Sequence, residues 1–317
     1  MRAPDFWRAE ARSPWPLLLT PVSWLWRAGG ALRRRTPQRV AAKVVSVGNL
    51  VAGGAGKTPT VLALALHLTA RGEAVHIVTR GYGGALKGPH LVDPDTDTFD
   101  AVGDEPLLLA RVAPTWVSRD RLAGAEAAIK AGAKILLLDD AHQNTALYKD
   151  LSLLVVDAAY GFGNGRVIPA GPLRETITQG LARTDAVVQI GDGTIAEAAG
   201  LTRLNAVIEP DNDALRHKRV LAFAGMGRPE KFFDTLRALQ CELVELHTFP
   251  DHHRYTPDEV MTLVEKAVAL KALPVTTTKD AARLPPEARR MVTTLPVTLH
   301  FRDGRLLEAL LAKAGIV

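Results

Sequence analysis

The chain alternates short apolar runs, rich in β-branched residues, with stretches whose apolar residues recur at helical spacing. The runs predict buried strands and the periodic stretches predict amphipathic helices. After a first strand that ends near Gly48, strands are predicted at 74–79, 115–118, 134–138, 151–156, 185–190 and 204–208, with helices at 104–112 and 119–131. This alternation is typical of an α/β fold with a mostly parallel sheet and helices on both faces.

A second alternation follows the turn-forming residues Pro-Asp-Asn-Asp at 210–213. It predicts strands at 219–224, 243–248, 275–278 and 297–301 and helices at 230–239 and 257–270. The chain closes with an amphipathic helix that carries Leu306, Leu307, Leu310 and Leu311. We therefore expect a core at 37–212 and a smaller α/β domain at 213–317, which would close a cleft over the core.

Between the first strand and the first helix of the core, residues 44–58 read VVSVGNLVAGGAGKT. Glycines without a Cβ let backbone N–H groups approach phosphate oxygens at the positive end of the next helix. Lys57 would meet the β and γ phosphates, and the Thr58 hydroxyl would hold Mg²⁺. The strict pattern has glycine where Val51 stands, so Gly48 is the displaced first glycine. The predicted nucleotide-binding residues are Asn49, Gly53, Gly54, Ala55, Gly56, Lys57 and Thr58.

Two carboxylates, Asp139 and Asp140, directly follow an apolar strand. That end of a parallel strand lies beside the phosphate loop, so one carboxylate could reach Mg²⁺ opposite Thr58, while Asp140 could instead cap a turn. Glu175 could bind Mg²⁺ or form an ion pair, and its neighbour Arg174 could bind phosphate. The predicted metal ligands are Thr58, Asp139, Asp140 and Glu175.

Asp104 and Glu105 stand at the start of a predicted helix, where helix capping is their ordinary role. A kinase, however, also uses a carboxylate to accept the proton of the attacking hydroxyl. His252 and His253 are adjacent in a polar loop, where a histidine could orient a carboxylate or have no special role.

Composition changes the picture mainly at the N-terminus. The whole chain has a formal net charge of +5 and a single cysteine, Cys241, which excludes an intramolecular disulfide. Eight arginines and two acids in the first forty residues give +6 there, so the remainder of the chain sums to −1. This distribution argues against nucleic acid as the partner.

Four of the five tryptophans, Trp7, Trp15, Trp24 and Trp26, also lie in this segment. Aromatic and basic residues together are typical of a membrane interface, and the apolar run 14–26 is too short to cross a bilayer. We expect residues 1–36 to be an interfacial segment in which Leu18, Val22 and Leu25 recur at helical spacing. Arg33, Arg34 and Arg35 would pair with anionic headgroups. The alternatives are a signal peptide and an amphipathic helix packed on the protein's own core or on a partner.

The chain resembles the tetraacyldisaccharide 4′-kinase family of lipid A biosynthesis over nearly its whole length. The resemblance is carried by an ordered set of segments: the Trp-rich N-terminus, GNL at 48–50, GGAGKTP at 53–59, RGYG at 80–83, GDEP at 103–106, DD at 139–140, FGNG at 162–165, PAGPLRE at 169–175, DHH at 251–253 and TTKD at 277–280. Each segment is weak alone, but the ordered set is specific.

This resemblance implies ATP and Mg²⁺ as cofactors and transfer of the γ-phosphoryl group to the 4′-hydroxyl of an acylated glucosamine disaccharide 1-phosphate. It also implies peripheral attachment at the cytoplasmic face of the bacterial inner membrane, with no obligate protein partner. Asp104 would be the catalytic base and His252 its partner, with His253 as the fallback. Lys57 and an arginine would neutralise charge, the candidates being Arg80, Arg119 and Arg174.

One segment departs from the family. Where the family reads Asp-Asp-Gly, a large apolar residue and then Gln-His, this chain has Ala141, His142, Gln143 and Asn144. Asn144 can donate a hydrogen bond but carries no charge, and His142 could be a surface substitution. Two other classes stay open: a soluble phosphate-loop GTPase or metallochaperone-like switch, and a membrane-binding module with a decayed nucleotide site.

Overall fold

The computed structural model describes residues 4–32 and 36–317. Its strands are β1 Lys43–Gly48, β2 Val75–Thr79, β3 His90–Leu91, β4 Thr115–Val117, β5 Ile135–Asp139, β6 Leu151–Asp157, β7 Ala186–Ile190, β8 Thr202–Pro210, β9 Arg219–Ala224, β10 Glu242–Thr248, β11 Leu273–Thr277, β12 Thr293–Leu295 and β13 Val297–Phe301. Its α-helices are α1 Trp15–Leu32, α2 Lys57–Ala70, α3 Phe99–Val102, α4 Asp104–Ala110, α5 Arg121–Lys130, α6 Ile177–Leu181, α7 Glu230–Ala238, α8 Pro257–Ala269, α9 Thr278–Ala281, α10 Pro286–Arg289 and α11 Gly304–Lys313. The predicted elements are present, most with ends within one or two residues of those expected.

Nine strands form the larger sheet in the order β13-β8-β7-β6-β1-β5-β2-β4-β3. All neighbours are parallel except the two edge pairs, β13 with β8 and β3 with β4. Strands β2, β5, β6 and β7 are buried along their whole length, as expected for a sheet covered on both faces. Helices α2 and α11 pack against one face and α5 against the other. The predicted α/β fold is therefore confirmed.

Strands β10-β9-β11-β12 form a second, wholly parallel sheet. Alternate residues of β9 face opposite sides, so that Val220 and Ala222 pack against α7 while Leu221 and Phe223 pack against α8. Helix α8 begins with a capping box in which the Thr256 side chain and Glu259 bond each other's backbone N–H groups. This sheet and its helices form a small α/β unit beside the core.

The last strand and helix belong to the larger sheet rather than to this small unit. Strand β13 pairs antiparallel with β8, opposite Pro210 to Ala206, and Leu299 joins the main core. In α11, Leu307, Leu310 and Leu311 pack into the same core as α2. The sequence predicts residues 213–317 as one unit, but the chain returns to the core after residue 295 because β13 covers the open edge of β8.

Helix α1 contacts the core along one side only of its described residues, through Ser23 and Trp26 among others. Its Ser23 hydroxyl donates to the Val167 carbonyl at 2.8 Å, and the Trp26 ring N–H donates to the Arg174 carbonyl at 3.2 Å. The predicted apolar stripe faces outward, because Leu18 is 66% and Leu25 74% exposed. Arg33, Arg34 and Arg35 lie outside the described residues. No helix within 4–32 and 36–317 is long and apolar enough to span a membrane.

Candidate active site

The loop between β1 and α2 has the shape that its glycines suggest. Gly53 and Gly56 have φ angles of 117° and 94°, which side chains with a Cβ rarely adopt. No atom lies within 4 Å of the Cβ position of Gly53 or Gly54, so this part of the loop faces open space. Gly48 is packed instead: a Cβ there would lie 2.6 Å from the Cβ of His142. The open, glycine-lined turn at the start of α2 fits phosphate groups.

Asn49 and Lys57 brace this loop from inside. The buried Asn49 amide donates to the Val51 carbonyl at 2.8 Å, and its side-chain oxygen accepts from Lys57 Nζ at 3.2 Å. Lys57 Nζ also lies 3.7 Å from Asp140 Oδ1. The lysine is thus directed across the loop toward the end of β5, where it can meet phosphate oxygens.

Asp139 ends β5 next to Val47 of β1 and is 2% exposed. Its Oδ2 accepts from the Thr79 hydroxyl at 3.0 Å, whereas its Oδ1 has no hydrogen-bond partner. Burial, together with the carboxylates of Glu105 and Asp140, raises the pKa of Asp139 to about 7. A buried carboxylate oxygen without a partner, beside the carboxylates of Glu105 and Asp140, fits a Mg²⁺ ligand.

Within the described ranges, no three His, Cys, Asp or Glu side chains form a metal cluster. The Thr58 hydroxyl lies at the start of α2 and donates to Glu105 Oε1 at 3.4 Å.

Asp140 adopts a φ of 48° directly after β5. Both of its carboxylate oxygens accept from Arg174 NH1, at 2.9 and 3.0 Å. Burial would raise the pKa of Asp140, but the positive charges of Lys57 and Arg174 lower it below its ordinary value. Arg174 therefore reaches the site as the ion-pair partner of Asp140, within the same charge cluster as Lys57.

Glu175 takes the second of its two predicted roles. Arg183 NH2 contacts both carboxylate oxygens at 2.6 and 2.7 Å, and Gln143 donates to Oε1 at 3.1 Å. Because these donors occupy the carboxylate, we correct the metal assignment of Glu175 to an ion pair that supports the loop carrying Arg174.

Asp104 begins α4 and is 2% exposed. Its Oδ1 accepts from the Glu105 N–H at 3.0 Å, and its Oδ2 lies 3.2 Å from both His252 Nδ1 and Arg283 Nε. Burial would raise the pKa of Asp104, but the hydrogen bond from His252 and the charges of Lys279 and Arg283 lower it to about 2. Asp104 and His252, 148 residues apart in the chain, are therefore in direct contact.

His253, the neighbour of His252 in the chain, contacts other residues. His253 Nε2 lies 3.1 Å from Glu259 Oε2, and its ring stacks on Phe249 with the centroids 4.7 Å apart. His252, with a φ of 57°, faces Asp104 and Tyr82 instead. The contact with Asp104 thus falls to His252, the first choice, and not to the fallback.

Two cations that sequence reasoning did not single out complete this part of the site. Lys279 Nζ lies 3.0 Å from Glu105 Oε1. Arg283 is 2% exposed and is held by Asp280 and by the carbonyls of Gly225 and His253. The TTKD segment was the available signal for Lys279, but nothing local marked Arg283. The other two predicted arginines, Arg80 and Arg119, are exposed.

His142 is completely buried, so the surface alternative for it is wrong. Its Nε2 lies 3.0 Å from the Gly180 carbonyl and its Nδ1 has no hydrogen-bond partner. Burial, then the charges of Lys149 and Arg183, lower the pKa of His142 to about 4, so the ring is neutral. The Asn144 side chain accepts from the Ala146 N–H at 3.0 Å and shapes a turn. His142 thus fills the apolar position of the family pattern.

A glycine-rich loop between a parallel strand and a helix, with its lysine, an acidic strand end and a carboxylate–histidine pair, defines a phosphate-loop phosphotransferase. The family model for tetraacyldisaccharide-1-P 4′-kinase matches residues 15–315. The chain belongs to this family.

Several proteins named tetraacyldisaccharide 4′-kinase are similar to this chain over nearly the full length of both. The chain is 52% identical to the tetraacyldisaccharide 4′-kinase of Rhodospirillum centenum, over 98% of this chain and 96% of that protein. It is 48% identical to that of Paramagnetospirillum magneticum, over 100% and 99%. The crystal structure of LpxK from Aquifex aeolicus in complex with ATP matches with a TM-score of 0.75 at 27% identity, over 94% of this chain and 99% of that one. The predicted family and kinase activity are confirmed, the neighbour's complex with ATP supports ATP as the cofactor, and the switch and the decayed module are not favoured.

Proposed function

We propose that this protein transfers the γ-phosphoryl group of ATP to the 4′-hydroxyl of a tetraacylated glucosamine disaccharide 1-phosphate, at the cytoplasmic face of the bacterial inner membrane. The observation that carries the proposal is the contact of Asp104 with His252, contributed by the core and the small unit respectively, beside the phosphate loop. The substrate assignment is supported by the names of the relatives.

Lys57 and the N–H groups of the loop 53–58 would hold the phosphates. Asp139 Oδ1 and the Thr58 hydroxyl would hold Mg²⁺, with Asp140 kept nearby by Arg174. When bound, MgATP supplies the phosphoryl group and neutralises the charge that develops on it. The protein's own contribution is then to position the acceptor hydroxyl and to remove its proton.

Asp104 would accept that proton, with His252 as its partner. A carboxyl group whose pKa is about 2 does not keep a proton at neutral pH, so the proton would pass to His252, whose Nδ1 is 3.2 Å from Asp104 Oδ2. Because His252 and Arg283 both lie in the small unit, that unit would close over the core to complete the site.

Membrane attachment is assigned to α1. Trp15, Leu17, Leu18 and Leu25 are each more than half exposed, and aromatic and aliphatic side chains of this kind insert between headgroups. Trp26 ties the helix to the carbonyl of Arg174, so an acceptor that enters from the membrane would arrive close to the ion pair at Asp140.

The test of the reaction is transfer of labelled γ-phosphate from ATP to a tetraacylated disaccharide 1-phosphate in detergent micelles. Labelled lipid is expected with the wild-type protein and none with Lys57→Ala. A wild-type protein that binds ATP but labels no lipid would overturn the proposal.

The test of attachment is sedimentation with vesicles that contain anionic lipid. Replacing both Leu18 and Leu25 by Gln should release the protein, because two exposed anchors lose their apolar surface. The matched control is Val268→Gln, which alters an apolar residue that is 70% exposed on α8. Equal sedimentation of the α1 variant and the wild type would contradict the interfacial assignment.

A further inference from the structure

Arg228 of the small unit contacts the phosphate loop itself. It precedes α7, and its guanidinium NH2 donates to the Gly54 carbonyl. The neighbouring Gly227 faces the same loop, since a Cβ there would lie 3.9 Å from the Gly54 backbone nitrogen. Gly54 is therefore touched by a residue 174 positions away in the chain.

The guanidinium is held in place from two further sides. Its NH2 lies 2.5 Å from Asp157 Oδ2 at the end of β6, and its Cζ lies 4.8 Å from the centroid of the Tyr160 ring. The Asp157 side chain is only 5% exposed and also pairs with Lys231. Tyr160 in turn packs on the apolar cluster beneath the loop, which includes Leu50, Val51 and Ala55.

We propose that Arg228 is a positioning residue for ATP binding, which fixes the peptide between Gly54 and Ala55 in the orientation that binds phosphate. In a trans peptide the C=O and the N–H point in opposite directions. Holding the Gly54 carbonyl outward on the side of Arg228 turns the Ala55 N–H inward, toward the space that the loop encloses. The proposal rests on the phosphate-binding role of this loop.

Charge supports the same role. Arg228 and Lys231 carry two positive charges against the carboxylate of Asp157, and the carboxylate of Asp251 lies beside Gly227. The guanidinium of Arg228 contacts the loop directly, and a partly buried cation there attracts polyphosphate with little screening by salt. Lys57 acts from within the loop, whereas Arg228 acts on its outer side, from the other unit.

The experiment measures the affinity of the purified, full-length protein for the non-hydrolysable analogue AMP-PNP with Mg²⁺, by calorimetry and without lipid. Replacement of Arg228 by Met should weaken binding by about tenfold, the effect of losing one charge-assisted hydrogen bond that orders the loop. Arg228→Lys keeps the positive charge next to Asp157 but loses the several N–H donors of the guanidinium. Its affinity for AMP-PNP should therefore lie between those of the wild type and of Arg228→Met. Unchanged affinity in both variants would overturn the proposal.

Arg254→Met is the matched control, because Arg254 also joins the small unit to the core through an ion pair, with Asp100 at 2.8 Å, but does not contact the loop. Its affinity for AMP-PNP should equal that of the wild type. An equal loss in this control would assign the effect to general contact between the units and overturn the specific role.

Asp157→Asn completes a double-mutant cycle. If Asp157 acts by holding Arg228, the double variant should bind AMP-PNP no more weakly than Arg228→Met alone, and additive losses would contradict this coupling.

In turnover assays of Arg228→Met, the KM for ATP should rise while the KM for the lipid acceptor stays unchanged. Failure of lipid labelling by the wild type would defeat the proposed function but leave this binding result intact.

Discussion

Asp104 and Asp139 are equally buried, each 2% exposed, and yet their pKa values are shifted in opposite directions. The pKa of Asp139 is raised to about 7, whereas that of Asp104 is lowered to about 2. Burial raises both, so their neighbours make the difference. Asp139 lies among other carboxylates, and Asp104 lies among the positive charges and donors of the small unit. Burial alone therefore does not decide whether a carboxyl group is ionised.

The sources of compensating charge also differ. Asp139 Oδ1 has no hydrogen-bond partner, while Asp104 contacts His252 and Arg283 of the small unit and lies in the field of Lys279. In the function proposed above, a bound cation would complete the first site, whereas the folded protein already supplies the partners of the second.

Removing the charge of Asp104 should have the largest effect. Asp104→Asn should lower kcat by about 10²- to 10⁴-fold, because the proton acceptor is lost, while affinity for AMP-PNP stays unchanged. Asp100→Asn, a change at an exposed carboxylate of α3 close by, is the control for kcat. Wild-type turnover in Asp104→Asn would exclude Asp104 as the base.

Asp139→Asn should act through the metal. The gain in nucleotide affinity on adding Mg²⁺ should shrink by about tenfold or more, because the neutral amide binds a hard cation less well. Affinity in EDTA should change little. The exposed Asp192, paired with Arg302, supplies the control variant Asp192→Asn. A full response to Mg²⁺ in Asp139→Asn would show that another group holds the ion.

Removing one cation near Asp104 should bring the two carboxylates closer in behaviour. Lys279→Met should raise the pKa of Asp104 by about half to one unit, because one of the cations that favour its ionised form is lost. Titration of the Asp104 carboxyl carbon by NMR measures the shift, and Lys266→Met, which breaks an exposed pair with Glu245, should leave that titration in place. An unmoved titration in Lys279→Met would show that Lys279 does not help to hold Asp104 ionised.

His142 extends the comparison to a buried group on which burial and the charges of Lys149 and Arg183 outweigh the carboxylate of Glu175. The folded protein keeps it neutral down to about pH 4, whereas the unfolded chain binds a proton near pH 6.5, so acidification between these values favours unfolding. His142→Phe should remove this loss, which is on the order of 3 kcal/mol at pH 4.

Denaturant unfolding at pH 7 and at pH 4.5 measures this loss of unfolding free energy in the wild type and in His142→Phe. His90→Phe, at a half-exposed histidine paired with Asp97, is the control. The same stability loss on acidification in His142→Phe and in the wild type would contradict the assignment.

Much of the fold could be predicted because strand and helix periodicity is local. The partner of β13 could not be predicted, since its alternation fits either sheet and only the open edge of β8 selects it. The phosphate loop could also be predicted from the sequence, because its glycines, lysine and threonine are close together in the chain. The contact of Asp104 with His252 was reached through the family resemblance alone, since neither residue is unusual in its own segment.

The order of strands and helices can be predicted from the sequence alone, as can the phosphate loop and the apolar, aromatic N-terminal helix, because each depends on residues close together in the chain. Only the folded structure shows that the pKa values of Asp104 and Asp139 shift in opposite directions, that Glu175 pairs with Arg183, that His142 is buried and that Arg228 reaches Gly54. These properties depend on distances between residues far apart in sequence, and electrostatic energies change steeply with those distances.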